Sequence, residues 1–319
     1  MLGRSRRYRR PISLALLATL AGFCSAGAHA VSLRACDPPD TLTAAQKDKI
    51  FSFGAVIKAE LEKSGQRLAL ISRAGLDLGR FGVRYSHAGF SLKHSPDTPW
   101  AIRQLYYACD EKQPHIFDQG MLGFLLGMNE PGLGYISVVL LPQAEAAELE
   151  RAALDKQQAL QLLGASYSAN AYPYSLQYQN CNQWVMEVLA VARGRLLNGR
   201  LMDGEGRSGV PTLRERAQAW LQTQGYIPSV IDVGWRPLMW ATAFVPWLHN
   251  DDHPAADQAQ AIYRVSMPEA IENFVRTQVP GAQRLEFCHT ERHVVVRRGW
   301  APIAEGCIPE ADDTVIALD

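Results

Sequence analysis

The stretch "YQNCNQWVMEVL", Tyr178 to Leu189, sets a single cysteine, Cys181, just before an apolar, helix-patterned run. A helix N-terminus carries unpaired N–H groups and about half a positive charge. A thiol there has its thiolate stabilised, and the thiolate is the nucleophile. The same N–H groups can hold the oxyanion of a tetrahedral intermediate. The competing reading is a small buried hydrophobe in the first turn of a core helix. A nucleophilic cysteine also needs a base, normally histidine. His87, inside "RYSHAGF", is the candidate, because a strand fixes its backbone and Ala88 and Gly89 leave room for a close approach. The remaining histidines lie in turns or at polar element ends. Paired in this way, Cys181 and His87 predict a thiolate–imidazolium form that dominates near about pH 7 and titrates as one unit.

Cysteine usage bears on the same choice. The chain opens with a basic "RSRRYRR", an apolar "ISLALLATLAGF" and the small-x-small site "AHA". This is the pattern of a secretory signal over residues 1–30, cut after Ala30. The expectation is export, to the periplasm or beyond, with no transmembrane segment in the mature chain. An oxidising compartment favours disulfides. Past the signal stand Cys36, Cys109, Cys181, Cys288 and Cys307, an odd number. Cys288 and Cys307 flank a hairpin pattern and are the easiest pair. Cys36 and Cys109 could make the other, though sequence does not fix connectivity. Cys181 is then the free thiol.

The elements that must position these groups follow from periodicity. A capping box, Thr43 to Gln46, opens a helix that runs to the "EKSG" turn. "RLALISRAG", "FGVRYSHAGFSLK", "WAIRQLYYAC" and "YISVVLLP" read as strands, the second and third as a hairpin and the fourth as central. Residues 68 to 141 therefore predict an antiparallel meander with the Cys181 helix across one face. "AEAAELERAALDKQQALQLLG" reads as one helix ending at Gly164. "TLRERAQAWLQTQG" is a further helix, and "SMPEAIENFVRTQ" another, opened by a capping box from Ser266 to Glu269. Strands and helices without strict alternation indicate α+β.

The two chemistry-bearing stretches together resemble a known pattern. "SHAGF" resembles the His strand of NlpC-type cell-wall peptidases, and "NCNQWV" resembles the Cys helix start of the lecithin:retinol acyltransferase branch. His87 precedes Cys181, which is the order of the circularly permuted, papain-like group. More closely, the chain resembles a bacterial exported domain family of unknown function. The resemblance implies a permuted papain-like core over residues 31–195, with a helical and hairpin extension over 196–319 packing on it. It implies a Cys181–His87 dyad and a third polar residue on the strand after the His strand. Tyr107 stands at the matching position, and Asp110 close by is chemically better suited to an imidazolium. It places Asn182, Tyr172 and Tyr174 near the oxyanion or substrate. The implied activity is a cysteine hydrolase or acyltransferase on an amide, ester or thioester. Its substrates would be a peptidoglycan peptide or a lipid acyl group, with no cofactor.

Other constellations compete. "HNDDHP" gathers His249, Asp251, Asp252 and His253, but not at a known metal-ligand spacing, so no metal site is expected. Trp235, Trp240 and Trp247 read as the core of a C-terminal lobe, or as the lining of a groove for acyl chains. Lysine plus arginine equals aspartate plus glutamate, 32 each, which points away from nucleic acid. The alternative function is a non-catalytic binding or envelope-structural domain that keeps the fold.

Overall fold

A computed structural model describes residues 42–198 and 211–318. The expected signal segment and Cys36 lie outside these residues. The centre of the fold is an eight-stranded antiparallel sheet in the order β10-β9-β8-β5-β1-β2-β3-β4. Its strands are β1 (Leu68–Arg73), β2 (His87–Leu92), β3 (Ala101–Ala108), β4 (Gln113–Gln119), β5 (Gly134–Leu140), β8 (Gln283–His289), β9 (His293–Arg298) and β10 (Thr314–Ala317). β6 (Ser229–Asp232) and β7 (Ile262–Val265) form a separate ribbon. The fold is α+β, as its unalternating element order implies.

Residues 68 to 141 depart from a simple meander. β1 to β4 run as one, but β5 returns to the far side of β1, pairing Ile71 with Val138. The "YISVVLLP" run is accordingly central, between β1 and β8. β4 has no strand pattern in sequence, because "QPHIFDQ" mixes a proline with polar residues. It is an edge strand, where proline is tolerated.

Side chains alternate across the sheet and build two cores. On one face Ala69, Ile71, Ile102 and Val138 pack under α1 (Ala44–Lys63) and α2 (Met121–Leu126). The Thr43–Gln46 capping box that opens α1 is present on both sides. On the other face Leu70, Ala88, Phe90 and Leu105 meet α5 (Cys181–Asn198) and α3 (Gln143–Leu154). The single helix expected over 144–164 is broken. Asp155 ends α3 and its carboxylate caps α4 (Lys156–Gln161) by accepting from the Gln158 N–H at 3.0 Å.

α5 is apolar nearly all round because it is enclosed nearly all round. The sheet lies on one side, and α3, α6 (Leu213–Thr223) and α9 (Pro268–Gln278) on the others. Trp184, Val185, Val188 and Val191 are fully buried there, each worth about 1.5–3 kcal/mol. The helix starts where it does because Asn180 caps it, its Oδ1 accepting from the Gln183 N–H at 2.7 Å. Cys181 is thus the first helical residue.

The segment after residue 195 is not an appendage. β8, β9 and β10 continue the central sheet, with Val138 opposite Leu285, and α6 and α9 close over α5. The capping box expected from Ser266 is a correction. α9 starts at Pro268 after Met267 and has no side-chain cap. Proline at the first helical position needs no N–H partner.

Cys288 and Cys307 form a disulfide between β8 and the loop after β9. Cys109 is disulfide-bonded as well, and Cys181 is the free cysteine among the described residues. The Cys288–Cys307 bridge spans 19 residues, a loop length that corresponds to a stabilisation of about 3 kcal/mol. Replacing both cysteines by alanine is therefore expected to lower the denaturant-unfolding free energy by about that amount. An unchanged midpoint would contradict it.

Candidate functional site

The site is built where the first turn of α5 meets the start of β2. The Asn180 cap takes the third N–H of the helix, so those of Cys181 and Asn182 remain available to the thiol. Both N–H groups, with that of Ala88, act on the Cys181 sulfur and pull its pKa down. Burial outweighs them, and the thiol is pushed up to about 11. The positive charge of Arg73 also favours the thiolate.

His87 opens β2 and is paired with Arg73 of β1. Its Nε2–H donates to Gln104 Oε1 at 2.5 Å, and Gln104 Nε2 in turn donates to Gln119 Oε1 at 2.7 Å. This fixes the imidazole tautomer with Nδ1 as the basic nitrogen. Burial drives the His87 pKa down to about 3, and the Arg73 charge adds to the shift. Both groups are therefore neutral at pH 7. This corrects the thiolate–imidazolium pair expected from sequence, because burial penalises both charged forms.

The backbone around His87 is tied to α5 on both sides. Asn182 Nδ2 donates to the Ser86 carbonyl at 3.0 Å, and the thiol lies by the Ala88 N–H. The side chains diverge, however. Ala88 faces α5, while the His87 ring lies 6.0 Å from Phe124 of α2. Among the described residues no hydrogen bond joins the Cys181 thiol to His87. The small residues of "HAG" also act differently from expectation. Ala88 admits the helix end, but Gly89 admits β3, since a Cβ there would sit 2.6 Å from Ile102 Cγ2.

The other residues singled out by sequence are distributed as follows. Tyr107 is not the partner of His87. It lies on the α5 face and stacks on Tyr167, with ring centroids 4.9 Å apart. Tyr167 is half-buried beside Cys181, and desolvation and that thiol both raise its pKa. Asp110 is exposed in the turn after β3 and does not reach the imidazole. Asn182 is at the site, its Oδ1 buried without a hydrogen-bond partner. Tyr172 and Tyr174 pack on each other, and the Tyr174 hydroxyl donates to the Tyr226 carbonyl at 2.6 Å. Neither is hydrogen-bonded to Cys181 among the described residues. Gln104, Gln119 and Tyr167 were not read from sequence. Strand parity is the signal for Gln104, which shares a face with Ile102, whereas Tyr107 shares one with Leu105.

"HNDDHP" is a latch for the loop that leads into Cys181. Asp252 Oδ2 accepts from the Tyr172 N–H at 2.9 Å, and His253 Nε2–H donates to the Asn170 carbonyl at 2.7 Å. No group of three or more His, Cys, Asp or Glu among the described residues is arranged to hold a metal ion.

Residues 60–275, more than half of the chain, match the sequence profile of a family described as "Uncharacterized protein conserved in bacteria (DUF2145)". The chain belongs to the DUF2145 family. Neither a curated protein nor a solved structure matches it. The DUF2145 match holds Cys181, His87, Gln104 and the latch together, and runs past residue 195 into α9. The family's unit therefore includes much of the segment expected as an extension.

Proposed function

We propose that this DUF2145 chain is an exported thiol enzyme with a permuted papain-like core, and that it transfers or hydrolyses acyl groups. The observation that carries this reading is the free Cys181 thiol at the first turn of α5, set against the backbone of His87. The first turn of α5 is bound to the residues on either side of His87, and Gln104 holds its Nε2 so that Nδ1 is left to act as a base. In the resting structure the two side chains lie on opposite faces of the sheet, so this mechanism requires a bound carbonyl to turn the imidazole around the end of β2 into reach of the thiol. The thiol proton passes to His87 Nδ1 as Cys181 Sγ attacks the carbonyl carbon. The N–H groups of Asn182 and Ala88 receive the developing oxyanion. The imidazolium then protonates the leaving amine, alcohol or thiol, and water or an acceptor releases the acyl group. Peptidoglycan peptides and lipid acyl groups are the substrates that an exported location would offer.

Gln104 is a positioning residue in this scheme. With an acyl-transfer probe that labels cysteine, Gln104→Ala is expected to slow Cys181 labelling by about tenfold to a hundredfold. Gln104→Glu, which keeps an acceptor for Nε2–H, is expected to recover much of the rate and alter its pH profile. Equal rates in native protein and Gln104→Ala would remove the orienting role. The high pKa of the thiol, and its lack of a hydrogen bond to His87, favour a second reading, a non-catalytic envelope-binding domain. That reading is sustained if the probe leaves Cys181 unlabelled.

A further inference from the structure

The segment 235–244, which includes α7 (Arg236–Trp240), presents large apolar side chains to solvent. Trp235 is 65% exposed, Trp240 69% and Phe244 88%, and Leu238 is exposed between them. This corrects the expectation that these tryptophans form a core. The core beneath them is made instead by Met239, which is buried with Val83 and Tyr263. The segment is held in shape. Asn250 Nδ2 donates to the Met239 carbonyl at 2.8 Å and to Thr242 Oγ1 at 2.7 Å. A fixed segment with this many exposed aromatic side chains marks an interaction surface.

Its chemistry selects the partner. Arg236 is exposed, is the sole charged residue between Val233 and Leu248, and makes no ion pair among the described residues. Exposed Trp and Phe with an unpaired cation and no carboxylate suit the headgroup region of an anionic bilayer. A second copy of the chain is a poorer match. Three aromatic side chains offer roughly 150–250 Å² each, short of the roughly 800 Å² per partner of a stable protein interface.

We propose that segment 235–244 docks this protein on an anionic phospholipid surface, with Trp235, Trp240 and Phe244 inserted at the headgroup level and Arg236 on lipid phosphate. The same lobe touches both loops that lead to the site. Met239 packs on Val83 ahead of β2, and the Trp247 carbonyl accepts from the Ala169 N–H at 2.8 Å ahead of α5. Docking would therefore hold the Cys181 site at the membrane surface, a consequence that rests on the catalytic reading, whereas the docking itself does not.

The test is co-sedimentation with vesicles of phosphatidylglycerol and phosphatidylcholine, compared with phosphatidylcholine alone. Native protein and Cys181→Ser are expected to bind the anionic vesicles alike. Trp240→Ser combined with Phe244→Ser is expected to weaken binding by about tenfold or more, and Arg236→Glu to remove the preference for anionic lipid. Brominated lipid is expected to quench tryptophan fluorescence in the native protein, and much less in Trp235→Phe combined with Trp240→Phe. Unchanged thermal melting separates these effects from misfolding. Native protein that stays in the supernatant, or a Trp240→Ser/Phe244→Ser variant that binds like native, overturns the proposal. So does concentration-dependent dimerisation that this double variant abolishes, which would assign the surface to a second copy.

Discussion

His87→Ala is expected to lower acyl transfer to Cys181 by about 10²–10⁴-fold at pH 7, and Cys181→Ser to abolish it. The size follows from the protonation states. Cys181 is pushed up to about 11 and His87 down to about 3, so the resting structure holds a neutral thiol and a neutral imidazole. A neutral imidazole persists above about pH 3, and the thiol persists below about pH 11. Base-assisted attack is thus expected to be nearly flat between these limits. Without His87 the reaction must await the thiolate, so the rate should climb about tenfold per pH unit towards pH 11. Simple alkylation, which uses thiolate alone, should be slow at pH 6 in both proteins. Measuring the labelling rate against pH for native protein and His87→Ala decides the matter. Parallel profiles would mean that His87 takes no proton from Cys181.

The same shifts make a statement about stability. The raised Cys181 pKa contributes stability below the unfolded value, about 8.5, that is lost as pH rises towards 11. The depressed His87 pKa contributes stability above its unfolded value, about 6.5, that is lost as pH falls towards 3.

Arg214→Met is expected to destabilise the fold by about 3–5 kcal/mol. Glu187 is fully buried on α5, and Arg214 of α6 grips it through Nε at 2.9 Å and Nη2 at 3.1 Å. Gln179 and Gln218 donate to the same carboxylate at 2.6 and 2.8 Å. Removing Arg214 leaves a carboxylate in the core without its cation, and the amides alone do not offset that charge. The guanidinium also donates to the Leu176 and Tyr178 carbonyls, so the loop ahead of Cys181 loses an anchor. Calorimetry should show a fall in Tm of roughly 10 °C. Glu187→Leu combined with Arg214→Leu should recover much of it, since an apolar pair of similar volume carries no stranded charge. A change under about 1 kcal/mol in Arg214→Met would show that Glu187 is neutralised by other means.

Local rules carried in the sequence determined much of this molecule. The Thr43 to Gln46 capping box, the apolar "YISVVLLP" strand and the cysteine at a helix start are each written within a dozen residues. Capping, two-residue alternation and helical periodicity act over that range, so they are legible without a partner. The α+β class and the Cys288–Cys307 disulfide followed from the same patterns.

What only the tertiary structure decided is everything that depends on register and burial. Phe90 of β2 pairs with Arg103 of β3, and this register puts Gln104 on the His87 side and turns Tyr107 towards Tyr167 and Cys181. A motif comparison that is off in strand parity selects the wrong face. The return of β5 beside β1, the last three strands joined to the same sheet, and the exposure of Trp235 and Trp240 are long-range outcomes of packing. The charge states belong to this group too. A helix N-terminus alone predicts a low thiol pKa, but desolvation under the enclosing helices and sheet exceeds the pull of the N–H groups, and the thiol keeps its proton.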